Sequence, residues 1–265
     1  MRRQNNTKLK WLLGAVLPGC LVDTPTLGRN GVTRMLAHKY IESGWLEPVV
    51  RGLYQRPNAE AADQDWRLVV RSLQHVMGYP AVVGGRTALE AQGFAHYLPM
   101  GGEEIVHLYG RGHPSWLKRL DSADRFRLHS TKLFDASAGE EIMHVDTPVG
   151  ALLCSSPERA ILELLDELPR HESVPIVDTA FEGLSSARPR RFERLLRSCK
   201  SVKVKRLFFV FADKHGHAWR RHISPDNFDL GSGPRALFQN GQFHPLYNIS
   251  VPPNLLPDKE AEDGA

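Results

Sequence analysis

The chain has 265 residues, 42% hydrophobic and 24% charged, a globular composition large enough for one sizeable domain or two moderate ones. A fibrous repeat and a wholly disordered chain are excluded, and the apolar runs, residues 207–212 among them, are too short and too closely flanked by charge to span a membrane. The formal net charge of +4 conceals segregation: residues 1–57 sum to +6, 58–187 to −8, 188–221 to +10 and 222–265 to −4. Two concentrated basic blocks on an otherwise acidic chain point to contact with a polyanion or an acidic protein.

In chain order, Arg2 and Arg3 ahead of an apolar stretch ending at Cys20 mimic a lipoprotein leader. The stretch is short, follows Lys10 closely and carries Pro18, so it reads instead as an amphipathic helix over residues 9–17. Leu9, Leu12, Leu13, Val16 and Leu17 form its stripe, and Pro18-Gly19 ends it. Three cysteines, Cys20, Cys154 and Cys199, at wide and unpatterned spacings suit a reducing cytoplasm better than a disulfide framework. Thr24 reads as the N-cap of a short helix, with Pro25 at its first position and a stop at Asn30-Gly31. Thr33 then caps a second helix running to Ser43-Gly44, with Val32, Leu36, Tyr40 and Ile41 turned inward. Residues 45–50 and 53–55 flank Arg51-Gly52 as a hairpin. Helix, helix, turn, helix and hairpin make a winged helix-turn-helix over residues 1–57.

The second helix of such a pair enters the major groove by its N-terminal residues. Thr33, Arg34, Ala37 and His38 are therefore expected to face DNA, with Lys39 on the phosphate side. Arg34 is the candidate base reader, since a guanidinium matches the O6/N7 edge of guanine. Arg51 at the hairpin tip is placed for phosphate or minor groove, and Arg29 for the backbone. Winged helices also serve as protein-interaction modules; the +6 balance favours DNA.

Residues 58–64 read as a linker, 65–252 as a larger mixed α/β domain and 253–265 as a disordered acidic tail, giving an α+β protein overall. Residues 65–77 form a helix. Residues 81–90 read as a strand, a Gly84-Gly85 turn and a helix capped by Thr87, whose N–H groups can hold an anion, although the pattern lacks the marks of a P-loop or a dinucleotide fingerprint. Strands follow at residues 105–109, 125–129 and 149–154. Ser156 and Pro157 start a helix reaching residue 165, and two more helices cover residues 188–199 and 204–214. Arg190, Arg191, Arg194, Arg197, Lys200, Lys203 and Lys205 crowd the outside of that last pair. His215 and His217 beside Asp213 resemble metal ligands, but no third partner at zinc or two-metal spacing follows, and no Ser or Cys has a visible base. The residues argue for a binding protein without catalytic residues, cofactor or metal.

Several words recur in an order that resembles a known family: Ser43-Gly44-Trp45-Leu46, Arg51-Gly52-Leu53-Tyr54, Gly84-Gly85-Arg86-Thr87-Ala88-Leu89, Ser155-Ser156-Pro157-Glu158-Arg159-Ala160, Lys203-Val204-Lys205-Arg206-Leu207 and His215-Gly216-His217-Ala218-Trp219. Together they resemble the AbiEi antitoxins of type IV toxin–antitoxin systems, which act in phage defence. The resemblance implies an N-terminal winged helix that represses its own operon at inverted repeats. It also implies a C-terminal domain that counteracts a nucleotidyltransferase-like toxin without a stable complex. Carried onto this chain, DNA contact falls on Thr33, Arg34, His38, Lys39 and Arg51. Lys203, Lys205 and Arg206 match a family word open to DNA, RNA or toxin, and with Arg190, Arg194 and Arg197 they make up the expected second surface. The expected partners are double-stranded DNA, met by a monomer or weak dimer that is cooperative on DNA, and the toxin; no membrane is involved. A solitary regulator or an interaction module with the same fold would carry the same words.

Overall fold

The computed structural model describes residues 2–58, 65–94, 105–130, 132–135 and 141–257. Two compact units emerge. The first comprises Met1–Val83, Glu103–Ser130 and His144–Cys154; the second comprises Gly84–Gly102, Thr131–Met143 and Ser155–Ala265. The expected linker lies, beyond Asn58, outside the described residues, as does the end of the chain from residue 258.

In the first unit, α1 (Arg2–Ala15) begins earlier than its apolar stripe suggests, because the polar residues before Leu9 give no periodic signal. Leu12 and Val16 are fully buried, and the guanidinium of Arg56 donates to the carbonyls of Leu13 (2.9 Å) and Val16 (2.8 Å) at its C-terminal end. A three-residue strand, β1 (Leu21–Asp23), follows; all three residues are buried, so no alternation of apolar and polar residues announced it. Helices α2 (Thr24–Arg29) and α3 (Arg34–Glu42) and the hairpin β2 (Glu47–Val50) and β3 (Leu53–Gln55) complete the winged helix-turn-helix. The sheet order is β1-β3-β2, with both pairings antiparallel. Leu12, Val16, Val22, Leu27, Val32, Leu36, Ala37, Tyr40 and Leu46 form its core.

Asp65 caps α4 (Trp66–Arg71), which continues as a π-helical turn, Ser72–Met77, ended by Gly78 in the left-handed conformation. Strands β4 (Val82–Val83), β5 (Val106–Tyr109), β6 (Phe126–His129), β7 (Ile142–Val145) and β8 (Leu152–Ser155) form a sheet in the order β6-β5-β4-β8-β7. Gln74 ties the π-helical turn to this sheet, donating to the Ala81 and Leu153 carbonyls at 2.8 and 2.9 Å and accepting from the Leu153 N–H at 2.9 Å. Between β5 and β6 lie two 3₁₀ turns, Ser115–Arg119 and Ala123–Arg125; the first buries Trp116 and Leu117 and exposes Lys118 and Arg119.

The second unit is mostly helical. Helix α5 (Gly85–Ala91) packs on α6 (Pro157–Glu167), whose N-cap Ser156 accepts from the Arg159 N–H at 3.3 Å. The cap of α5 is Gly84 rather than Thr87; Thr87 is buried within the helix. Helices α7 (Val174–Gly183), α8 (Pro189–Ser198) and α9 (Val202–His215) enclose a largely aromatic core of Phe181, Phe192, Phe208, Phe211 and Trp219, with Phe192 centred 4.8 Å from both Phe208 and Trp219. Helix α7 escaped the sequence reading because Val-Pro-Ile-Val is a poor helical pattern. A small hairpin, β9 (Gln242–Phe243) and β10 (Ser250–Val251), precedes a turn at Pro253–Leu255 in which Leu255 is buried.

Candidate nucleic-acid interface

The helix pair is set by three local devices. Asp23, one residue ahead of the expected cap Thr24, accepts from the Thr26 N–H at 2.9 Å and starts α2, with Pro25 in the first turn. Its second carboxylate oxygen accepts from the Tyr79 hydroxyl at 2.8 Å; burial and this carboxylate push the phenol up to about 12. The turn then closes through Gly31 at φ +74°, where a side chain would be strained and would press on Lys8. Thr33 accepts from the Leu36 N–H at 3.3 Å and caps α3.

That cap fixes the rotation of α3. Leu36, Ala37 and Tyr40 face the core, and Thr33, Arg34, Met35, His38 and Lys39 face solvent. Ala37, expected at the DNA face, is 4% exposed and packs inside, because it shares the inward stripe with Leu36 and Tyr40. Met35 takes its place outside at 73% exposure. His38 lies 3.7 Å from Glu42 on the same exposed side.

The wing is held against the helix pair. Gly52 at the hairpin tip adopts φ +83°, and its carbonyl accepts from both the N–H (2.9 Å) and the hydroxyl (3.1 Å) of Thr24 at the start of α2. Arg34 from α3, Arg51 from the wing tip and Arg119 from the 3₁₀ turn line one open cleft of about 590 Å³ together with Thr24, Gly52 and Tyr54. None of these six residues is acidic. Arg29 is differently employed: it is exposed, yet its guanidinium donates to the Thr26 hydroxyl at 2.8 Å and to the Met77 carbonyl at 3.0 Å.

The basic block of the second unit divides in two. Arg190, Arg194 and Arg197 lie exposed on α8, and Arg194 pairs with Glu141. Lys203, Lys205 and Arg206 serve the fold. Lys203 reaches the Asp166 and Leu168 carbonyls at the end of α6, the latter at 3.0 Å, and lies 3.4 Å from the Asp166 carboxylate. Lys205, 7% exposed, donates to the Asp229 carbonyl at 3.1 Å. Arg206, 2% exposed, donates to the carbonyls of Leu230 (2.7 Å), Gly231 (3.1 Å), Gly233 (2.8 Å) and Asn248 (2.7 Å). The Gly84-Gly85 turn does hold an anion, an internal one: buried Glu163 accepts from the Gly85 N–H at 3.0 Å and pairs with Arg159 at 2.8 Å.

The histidine cluster is also internal. His215 bonds Asp178 at 2.8 Å, His217 the Phe181 carbonyl at 2.8 Å, and Asp213 accepts from Arg220 (2.6 Å) and Tyr247. Among the described residues no three His, Cys, Asp or Glu side chains are grouped to hold a metal ion. Cys20, Cys154 and Cys199 are unbridged and buried, and burial pushes the Cys154 thiol up to about 12 and that of Cys199 up to about 11. No helix among the described residues is long and apolar enough to cross a membrane.

Two family models cover the chain. Residues 5–100 match the N-terminal domain of the transcriptional regulator AbiEi antitoxin, and residues 103–252 match the transcriptional regulator, AbiEi antitoxin, of the type IV toxin–antitoxin system. The chain belongs to the AbiEi antitoxin family of transcriptional regulators. Among solved structures, it is similar to the RV2827C protein from Mycobacterium tuberculosis, with 17% identity and a TM-score of 0.57 over 87% of this chain and 85% of that one. That likeness speaks for the fold alone. No curated protein matches. In this AbiEi chain, sequence reasoning overlooked Met35 and Arg119. The inward spacing of Leu36, Ala37 and Tyr40 signals Met35, since those positions leave residue 35 on the opposite side. Arg119 has no such signal, being brought to the wing from 68 residues away.

Proposed function

We propose that this AbiEi protein is a repressor of its own promoter and the antitoxin to a nucleotidyltransferase-like toxin. In this reading the winged helix binds inverted repeats in duplex DNA. Arg34 reads a base edge in the major groove, and Thr33, His38, Lys39 and Arg51 contact the backbone or flanking groove. The observation that carries the reading is the exposed, acid-free cleft where Arg34 at the start of α3 meets Arg51 at the wing tip. The positive end of the α3 dipole adds to the attraction for phosphate. Two copies meet the inverted repeats, as monomers or a weak dimer cooperative on DNA.

The antitoxin half falls to the second unit, in the cytoplasm and without a stable complex with the toxin. Of the six cations of the expected second surface, Arg190, Arg194 and Arg197 on α8 are exposed, whereas Lys203, Lys205 and Arg206 are engaged internally.

The experiment is fluorescence anisotropy of the protein on DNA from immediately upstream of its gene, against a scrambled duplex, across a salt series. Tighter binding to the native sequence is expected. Equal and steeply salt-dependent binding to both sequences would reduce the protein to a non-specific polycation.

A further inference from the structure

We propose that Arg119, which lies outside the winged helix in sequence, is a third DNA-contacting element that clamps a backbone phosphate between α3 and the wing. The inference rests on the reading of the winged helix as a duplex-DNA binder and adds to it a residue from the second family segment.

The turn that carries Arg119 is a rigid mount. Pro114, Trp116, Leu117 and Leu120 are buried, so the alternation of the Ser115–Arg119 turn leaves Lys118 and Arg119 on its solvent side. Arg119 lines the same cleft as Arg34 and Arg51, and one of its terminal nitrogens is 3.4 Å from the Arg51 carbonyl. That contact is long for a hydrogen bond and uses one of five N–H donors, which leaves the planar fork open to a tetrahedral anion. Three guanidinium groups around one cleft with no acidic lining residue repel one another until a polyanion is supplied. A duplex satisfies all three at once, offering a base edge to Arg34 and spaced phosphates to Arg51 and Arg119, whereas an isolated carboxylate or sulfate answers only one or two.

The test compares wild-type protein with Arg119→Ala, Arg119→Lys and Arg119→Gln on the native promoter duplex, from about 50 to 300 mM salt. Melting temperature serves as the folding control. Losing one phosphate contact flattens the slope of log K against log salt by about 0.9 and weakens binding about fivefold at 0.15 M salt. Arg119→Ala and Arg119→Gln are expected to show that loss equally, and Arg119→Lys to retain most of the slope, since charge is the operative property. Discrimination between native and scrambled DNA stays unchanged, because a phosphate contact carries no base information.

If Arg119→Gln binds as wild type while Arg119→Ala does not, the residue merely braces the wing through the Arg51 carbonyl and the proposal falls. If every Arg119 variant keeps the wild-type slope while Arg34→Ala and Arg51→Ala lose affinity, the proposal also falls and the DNA reading stands. Failure of the wild type itself to bind duplex DNA would overturn both.

Discussion

Replacing Arg206 separates a structural role from a surface role for the Lys203-Val204-Lys205-Arg206 word. Arg206 is 2% exposed, and its guanidinium donates to four backbone carbonyls, three of them within 2.8 Å. Hydrogen bonds to a charged group contribute about 1.5 to 3 kcal/mol each, and burying the cation costs several kcal/mol in return. Arg206→Ala removes the bonds and leaves four acceptors facing a void, a net loss of about 3 to 5 kcal/mol. At roughly 2 to 4 °C per kcal/mol for a protein of this size, the first unfolding transition drops by about 6 to 20 °C. Arg206→Lys recovers part of this, because an ammonium has three donors but not the planar fork that spans carbonyls on two segments. Differential scanning calorimetry reads the loss, and DNA affinity measured well below the transition stays at the wild-type value. An Arg206→Ala protein that melts within 2 °C of wild type and yet fails to rescue cells from the toxin would refute the reasoning, since the guanidinium would then act on a partner.

Arg34→Ala is expected to lower affinity for the native promoter by about 1 to 3 kcal/mol and relax base preference at one position, while Lys39→Ala weakens all sequences alike; competition anisotropy with single-base variants distinguishes them. Wild-type behaviour from both would refute the rotation assigned to α3. Thr33→Ala removes the cap on Leu36 and costs about 1 kcal/mol, read as a drop of about 2 to 4 °C in melting together with weaker DNA binding; unchanged values for both would show that the cap is dispensable. Burial pushes His113 and His244 below the usual histidine value near 6.5. The unfolded chain then binds more protons than the folded one below that value, so stability is full above about pH 6.5 and falls as the pH drops further. A His113→Gln, His244→Gln double variant should show a shallower decline in melting temperature between pH 6.5 and 5, and an identical decline would sink the assignment.

What could be read from the chain tracks the physics of each signal. Thr33, Ser156 and the inward stripe of α3 were legible because caps and a 3.6-residue period are local. Strand β1 was invisible, since three fully buried residues present no alternation, and α7 was hidden by proline and β-branched residues. Asp23 outranked Thr24 as a cap because its two oxygens serve both the Thr26 N–H and the Tyr79 hydroxyl, a distant demand that no local rule contains. The cleft was half legible: Arg34 and Arg51 follow from the winged-helix pattern, whereas Arg119 depends on how the β5 to β6 connection packs.

Charge counting needs the same correction. The +10 block is the stronger of the two in sequence, yet Arg191, Lys203, Lys205, Arg206, Lys214 and Arg220 are bonded to carboxylates or carbonyls of their own unit. Its raw total therefore overstates the field it offers a partner. In the weaker +6 block, Arg29 and Arg56 are likewise engaged, but Arg34, Lys39 and Arg51 are exposed and form no ion pair among the described residues. An unpaired cation at the start of a capped helix and another at a hairpin tip pinned to the preceding helix are preorganised, so binding phosphate there requires no internal bond to break. Polyanion affinity is accordingly assigned to the block with the smaller net charge, and the salt dependence of binding should follow Arg34, Lys39 and Arg51 while remaining insensitive to Lys203 and Lys205.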